Sequence, residues 1–510
     1  MQSRSDWSII PPLTTEIAHT DARHAATELV RGLAARGHVI GDGRVADGSA
    51  GVYEHHDPAT GAVHAEVALG GAAEIDAAVR AARDALPVWR ATPVEQRVAI
   101  LHRLADLLVE RRADAAAVNA LDNGTPVSGI DSGAYTAAWT RYYAGWVDKL
   151  EGQVVPVYGG DALDYVLPEP YGVIGAIVPW NGPMMGMGQK VVPALAAGNT
   201  VVTKPPEIAP FGALMFAELA LEAGLPPGAC NVVPGGAVAG QALVRHPGVN
   251  KVSFTGGLET ARAVIAAAAD NVVPLTLELG GKSANIIFPD ADLDVAVSVA
   301  AMLGAVLLSG QGCALPTRCY VHDDVYDDVV ARIVAQVEGV PVGDPLDPTV
   351  LMGPVVTDAA CTRILGVIER ATAGGAGELL TGGERLGGPL ADGYYIAPTV
   401  FGDVDHDSEL AQREVFGPVL SVLRFRDEDE VVAKANDNPF GLAAYVHTRD
   451  VARAHRVARR LDVGTVTVNA FPGMSPSAPF GGFKQSGFGR EGGRAGIEEF
   501  VRPKNVVIGL

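Results

Sequence analysis

The stretch from residue 172 to 277 constrains this 510-residue chain more than any other. Short runs rich in Val and Ile recur at 172–178, 200–203, 231–233, 251–254 and 272–277. Helical patterns fill the gaps at 184–197, 210–223, 237–245 and 258–269. Strand, helix, strand at this pace predicts an α/β unit, a parallel sheet with crossover helices. Such sheets bind ligands at the carboxyl ends of their strands, so residues there are the first candidates for function.

A second strand–helix alternation runs from 284–288 to about 468. Ahead of both, Ile75, Val79, Ala82 and Leu86, then Ile100, Leu104, Leu107 and Leu108, recur at helical spacing, and 71–145 is predicted mostly helical. The first fifty residues read as weakly structured apart from a helix over 21–36, with Pro11-Pro12 before it and a Gly/Asp-rich stretch after it. The closing run 504–509 suits an edge strand. At about 150 residues per domain the length suggests roughly three domains. A composition 48% hydrophobic and 19% charged can fill their cores.

Lys and Arg number 39 against 59 Asp and Glu, a net charge of −20. That acidity argues against a nucleic-acid partner or an anionic membrane surface, both of which need concentrated positive charge. The opening MQSRSDWSIIPPLTTEIAHT lacks the basic start and apolar core of a signal peptide. The longest apolar run, 295–308, is 14 residues interrupted by Ser298, which suits a buried helix better than a membrane span. The expectation is a soluble, cytoplasmic protein. Four cysteines, Cys230, Cys313, Cys319 and Cys361, are too few and scattered for a disulfide framework or a CxxC-type metal cluster, and no metal is expected.

Several segments carry chemistry at predicted strand ends. Cys313 lies in Ser309-Gly310-Gln311-Gly312-Cys313-Ala314, where glycines allow close approach to a thiol; an inert buried cysteine is the alternative. Glu278 ends an apolar strand in Leu277-Glu278-Leu279-Gly280-Gly281-Lys282, where desolvation raises a carboxylate toward useful basicity. A salt bridge to Lys282 competes with that reading. Asn181, in Pro179-Trp180-Asn181-Gly182-Pro183, can present amide hydrogens to a developing oxyanion or close an Asx turn. Lys204 and Glu207, in Lys204-Pro205-Pro206-Glu207, are spaced to hold ribose hydroxyls or to form an exposed ion pair. Glu414-Val415-Phe416-Gly417-Pro418 and Pro479-Phe480-Gly481-Gly482 set an acid and two aromatics in tight turns. The single GxGxxG match, Gly487 to Gly492, is followed by only eighteen residues, too few for the helix, second strand and acid that the fingerprint needs, and is read as a structural turn.

Together these segments resemble the NAD(P)-dependent aldehyde dehydrogenase superfamily, in order, from about Asp57 to Lys504. The resemblance implies a Rossmann-like cofactor domain from 20–146 and 171–280, and a catalytic α/β domain at 281–478. A small β oligomerisation arm from 147–170 and 490–510 would make a homodimer or homotetramer. It implies Cys313 as nucleophile, Glu278 as general base, Asn181 in an oxyanion hole, and Lys190 beside the active site. Ile177, Pro179, Trp180, Lys204, Glu207, Gly256, Gly257, Leu279, Glu414 and Phe416 would hold the cofactor. NAD is expected over NADP, because Glu207 repels a 2′-phosphate. The substrate would be a small-molecule aldehyde.

This chain departs from the family at Gly256-Gly257-Leu258-Glu259-Thr260-Ala261, where Ala261 replaces a usual glycine and Gly257 a frequent serine. In the pocket, Gly182 and Gly186 replace bulkier residues and Gln189 a frequent Trp. These changes imply a wider, more polar tunnel unless Met184, Met185, Phe471 or Met474 refills it; Phe480 is a further pocket candidate. Two rival readings remain: a CoA-acylating semialdehyde dehydrogenase, in which a base such as Glu278 is generally missing, and a non-catalytic protein on the same fold.

Overall fold

The computed structural model describes residues 19–471 and 474–510. The leading residues, on which the signal-peptide reading and Pro11-Pro12 rest, lie outside them. An eight-stranded sheet places strands in the order Gly43–Val45, His38–Ile40, Cys230–Val232, Thr200–Lys204, Val173–Ile177, Lys251–Thr255, Leu275–Glu278 and Gly487–Phe488. The five strands between Cys230–Val232 and Leu275–Glu278 run parallel. Chain order reverses beside Val173–Ile177: Thr200–Lys204 pairs on one side and Lys251–Thr255 on the other. That switch point opens a crevice at the strands' carboxyl ends.

Residues 279–283 leave this sheet and enter a second, seven-stranded one through Ala284–Ile287. Its order is Glu378–Thr381, Thr399–Gly402, Val419–Phe425, Arg318–His322, Ala284–Ile287, Ala443–His447 and Thr465–Val468, parallel except at the first strand. The inner strands of both sheets are buried on both faces, which is why they read as continuous rather than alternating apolar runs. Gln153–Val155, Ala162–Pro170 and Val501–Gly509 form a separate three-stranded antiparallel sheet.

The 71–145 region folds as the helices Ala72–Ala91, Val94–Glu110, Arg112–Asn123 and Ser132–Ala144. The first buries Ile75, Val79, Ala82 and Trp89 along one stripe, and the second Leu101, Leu104, Leu107 and Leu108. Gly124 in the left-handed conformation stops the third, and the Asp131 carboxylate caps the fourth by accepting the Ala134 N–H.

One expectation needs correction. The helix expected over 21–36 is present as His19–Arg36, but the Gly/Asp-rich stretch after it is not weakly structured: His38–Ile40 pairs with the edge strand Gly43–Val45 on one side and, through Val39, with Val232 on the other. Val30, Leu33 and Val39 are buried. A three-residue strand in a Gly-rich stretch has little local signal; a short hairpin to Gly43–Val45 and one pairing to a strand nearly two hundred residues away decide it. The apolar run 295–308 is buried as expected, in the continuous helical segments Leu293–Ser298 and Val299–Val306.

His447, at the end of a central strand, is 1% exposed, and burial alone pushes its imidazole down to about 4. The folded protein therefore holds it neutral while the unfolded chain protonates near pH 6.5, so its contribution to stability falls as pH drops from there toward 4. Replacing it with Leu removes that penalty. The stability of His447→Leu relative to the parent should rise by about 3 kcal/mol between pH 7.5 and 4, measured by calorimetry at several pH values. A difference independent of pH would contradict the assignment.

Candidate active site

The helix over the second sheet ends abruptly just before Cys313. Leu308 and Ser309 take positive φ of 53° and 52°, and Gly310 follows at 71°. Two non-glycine residues in the left-handed region mark stored strain of the kind found at functional turns. The turn is pinned from several sides. Ser309 Oγ donates to Gly353 O (2.8 Å), Gln311 Oε1 accepts the Val356 N–H (3.0 Å), and Tyr445 OH donates to Ala314 O (2.7 Å). At Gly310 a Cβ would sit 1.9 Å from Gly417 O, so only glycine fits.

Cys313 is half-buried, whereas Cys230, Cys319 and Cys361 are buried. Burial, with Glu414 and Glu278 adding negative charge, pushes its thiol up to about 12. Gly281 packs directly on this residue: a Cβ there would lie 2.4 Å from Cys313 O. The loop after Glu278 is thus locked against the cysteine segment.

Glu278 is 3% exposed, and neither carboxylate oxygen has a hydrogen-bond partner among the described residues. Burial raises its pKa well above the usual carboxylate range, and the nearby Glu491 adds to the effect. No salt bridge to Lys282 forms; the Lys282 ammonium is itself without a partner. Lys190 pairs instead with Glu491 (2.5 Å) and reaches Ser253 Oγ (3.2 Å). Glu491 lies inside the GxGxxG match. That segment is no phosphate loop: Gly487–Phe488 adds antiparallel to Leu275–Glu278, and Phe480 and Glu491 exchange backbone hydrogen bonds. A Cβ at Gly487 would meet Leu277 O at 1.9 Å, so the glycine there serves close strand packing.

Asn181 Nδ2 donates to Gln311 O (2.8 Å), which sets its amide beside the cysteine turn with one hydrogen left over. Asn123, which sequence reasoning missed, holds the neighbouring Trp180 carbonyl (3.0 Å). Trp180 meets Phe416 edge-on at 5.3 Å between ring centroids. Phe416 adopts φ of 50°, and Arg363 donates to the carbonyls of Val415 and Phe416. Glu414 accepts the Gly281 N–H (3.0 Å), and burial lifts its pKa to about 7.

A cleft of about 250 Å³ lies at the switch point, lined by Ile177, Lys204, Glu207, Gly236, Gly240 and Phe254 among others. Lys204 Nζ donates to Gly235 O (2.8 Å), and burial pushes the ammonium down to about 8. The nearby Glu207 charge partly opposes that shift. Gly257 begins the helix Leu258–Ala268 with nothing within 4 Å of where a Cβ would be, while Gly256 packs on the Phe254 ring. Leu279 is buried and its N–H is bonded to Ser486 O (3.0 Å).

The tunnel differs from expectation in part. At Gly186 a Cβ would meet Val178 and Pro179, so this glycine faces the underlying strand and opens no space. At Gly182 the Met185 methyl comes within 2.6 Å of the absent Cβ, taking up the room. Gln189 Nε2 donates to Tyr135 OH (3.1 Å), and Met474 Sδ lies 3.8 Å from that hydroxyl. Tyr135 sits in a helix whose apolar pattern alone gave no reason to single it out. Phe471 packs toward Leu303 and Leu315.

These features define an α/β enzyme with a nucleotide-sized cleft beside a strained cysteine turn. The aldehyde dehydrogenase family profile matches residues 45–506. The chain is 43% identical over 460 residues to mitochondrial aldehyde dehydrogenase of Homo sapiens, covering 89% of this chain and 88% of that protein. It superimposes on the NAD+ complex of aldehyde dehydrogenase from Bacillus cereus with a TM-score of 0.89 at 39% identity, covering 93% of this chain and 96% of that one. Betaine aldehyde dehydrogenase of Staphylococcus aureus with NAD+ gives 0.92 at 34% identity, covering 96% and 97%. The chain belongs to the aldehyde dehydrogenase family.

Proposed function

We propose that the protein oxidises an aldehyde to a carboxylic acid with NAD as acceptor, through covalent catalysis at Cys313. The observation that carries this reading is the convergence on one turn of the half-buried Cys313, the Asn181 amide and the loop following the unpartnered Glu278. The adjoining cleft suits the cofactor. Gly236 and Gly240 line it without side chains, Gly257 leaves a helix start open to a pyrophosphate, and Lys204 and Glu207 offer a donor and an acceptor to a ribose. The carboxylate of Glu207 disfavours the 2′-phosphate of NADP. Ile177, Pro179, Trp180, Leu279, Glu414 and Phe416 complete the proposed cofactor wall.

Once its proton has passed to solvent, the Cys313 thiolate attacks the aldehyde carbon, and the resulting oxyanion takes the free Asn181 hydrogen and the Cys313 N–H. NAD contributes hydride acceptance when bound. Loss of hydride leaves a thioester on Cys313; Glu278 then takes a proton from water, which attacks the thioester and releases the acid. Lys190 with Glu491 supplies the charges that flank this base. The presence of Glu278 disfavours transfer to CoA. The Gln189–Tyr135 pair favours an aldehyde with a polar group.

The division into 20–146 with 171–280, 281–478, and 147–170 with 490–510 belongs to the same proposal, as does a homodimer or homotetramer. Exposed Val154, Val507 and Ile508 on the three-stranded arm favour burial against a second copy. Incubating the protein with NAD and a panel of aromatic, terpenoid and hydroxylated aldehydes should yield NADH and carboxylic acid without CoA. NADH formation that requires CoA and yields acyl-CoA would overturn the reading, as would NAD binding with no aldehyde oxidised.

A further inference from the structure

The link from the first sheet to the second carries two buried groups that the reaction does not use. Lys282 and Ser283 lie just beyond Gly281, and Arg318 begins the neighbouring strand Arg318–His322. All three are at most 3% exposed, and Lys282 Nζ, Ser283 Oγ and Arg318 Nε have no hydrogen-bond partner among the described residues. They line one small cavity, with about 10 Å³ open to the centre of a water-sized sphere, whose other walls are mostly apolar, Phe440, Leu442 and Leu461 among them. No carboxylate lines it. The rest of the Arg318 guanidinium is spoken for: it donates to the carbonyls of Lys434 and Ala435 at the end of the helix Glu428–Asn436.

Two cationic side chains lining a common cavity that holds no carboxylate, with Glu414 and Asp437 acting on them only from outside it, are expensive to bury. The strain is visible in Lys282, whose ammonium is pushed down to about 7 by burial and by repulsion from Arg318, with Glu414 opposing the shift. A monatomic anion would accept hydrogens from all three donors and neutralise part of the charge. We propose that this cavity is a structural site for a monatomic anion that ties the 282–283 link to the second sheet. A neutral water can satisfy the donors but not the charge.

Three consequences follow from that assignment. Chloride should stabilise the fold relative to a large organic anion at equal ionic strength. The effect should need the Lys282 charge. It should also weaken above pH 7, because the anion is held by the protonated amine; Arg318 stays charged throughout, and Glu414 is the only acid acting on Lys282 from a packed element.

The test compares full-length protein in sodium gluconate and sodium chloride at matched ionic strength. The melting temperature of the parent should rise by about 2–4 °C in chloride at pH 6.5 and by less at pH 8.5. Lys282→Met, which keeps much of the side chain's shape, should lose the chloride increment while melting close to the parent in gluconate. Crystals grown in bromide should show an anomalous peak between Lys282, Ser283 and Arg318. Equal melting temperatures in both salts, an undiminished increment in Lys282→Met, or a cavity without bromide would each overturn the proposal. The bromide measurement uses only the parent protein and decides the matter even where the variant does not fold.

Discussion

Cys313→Ala is expected to lose aldehyde oxidation by a factor on the order of 10⁵ or more, the scale on which removal of a covalent nucleophile acts. No other thiol can take over, because Cys230, Cys319 and Cys361 are buried. The variant should still bind NAD with the parent's affinity, since the residues lining the cleft at the switch point do not include Cys313. Equilibrium binding of NAD alongside NADH formation separates loss of chemistry from loss of fold. A variant that retains even a few per cent of steady-state turnover would remove Cys313 from the role proposed. In the protein without cofactor the thiol is held up at about 12, so its alkylation by iodoacetamide should be slow at neutral pH and accelerate as pH rises.

The order of elements was legible because the chain punctuates them with local signals. Five Val- and Ile-rich runs and four helical patterns map onto five parallel strands and their crossovers almost residue for residue. Cys313, Glu278 and Asn181 were legible as strand-end and turn residues, and the structure places the turns that carry them in contact. What stayed hidden depends on partners far away in sequence. Glu491 meets Lys190 across three hundred residues, and Asn123 reaches the Trp180 carbonyl from the end of a helix that reads as ordinary core. Even the rejected GxGxxG match had a use that periodicity cannot show, delivering Glu491 and the close packing of Gly487. The tunnel was misjudged at Gly186 for a related reason: a missing side chain opens space only on the side its Cβ would occupy.

Glu278 shows how a destabilised group can serve chemistry. A carboxylate 3% exposed, with both oxygens unpartnered and Glu491 nearby, destabilises the charged form and so makes a stronger base than an exposed glutamate. Glu278→Gln keeps the shape and removes the ionisable group. The first half of the reaction does not use that proton acceptor, so mixing with NAD and aldehyde should still release about one NADH per subunit in a rapid burst. Hydrolysis then stalls, and steady-state turnover should fall on the order of 10²–10⁴-fold. Intact-mass measurement should find the acyl group on Cys313. Because the carboxylate makes no hydrogen bond that the amide would break, the melting temperature should hold or rise, a pattern expected of a residue kept for activity rather than stability. A fall in melting temperature with unchanged turnover would mark Glu278 as structural and reassign the base.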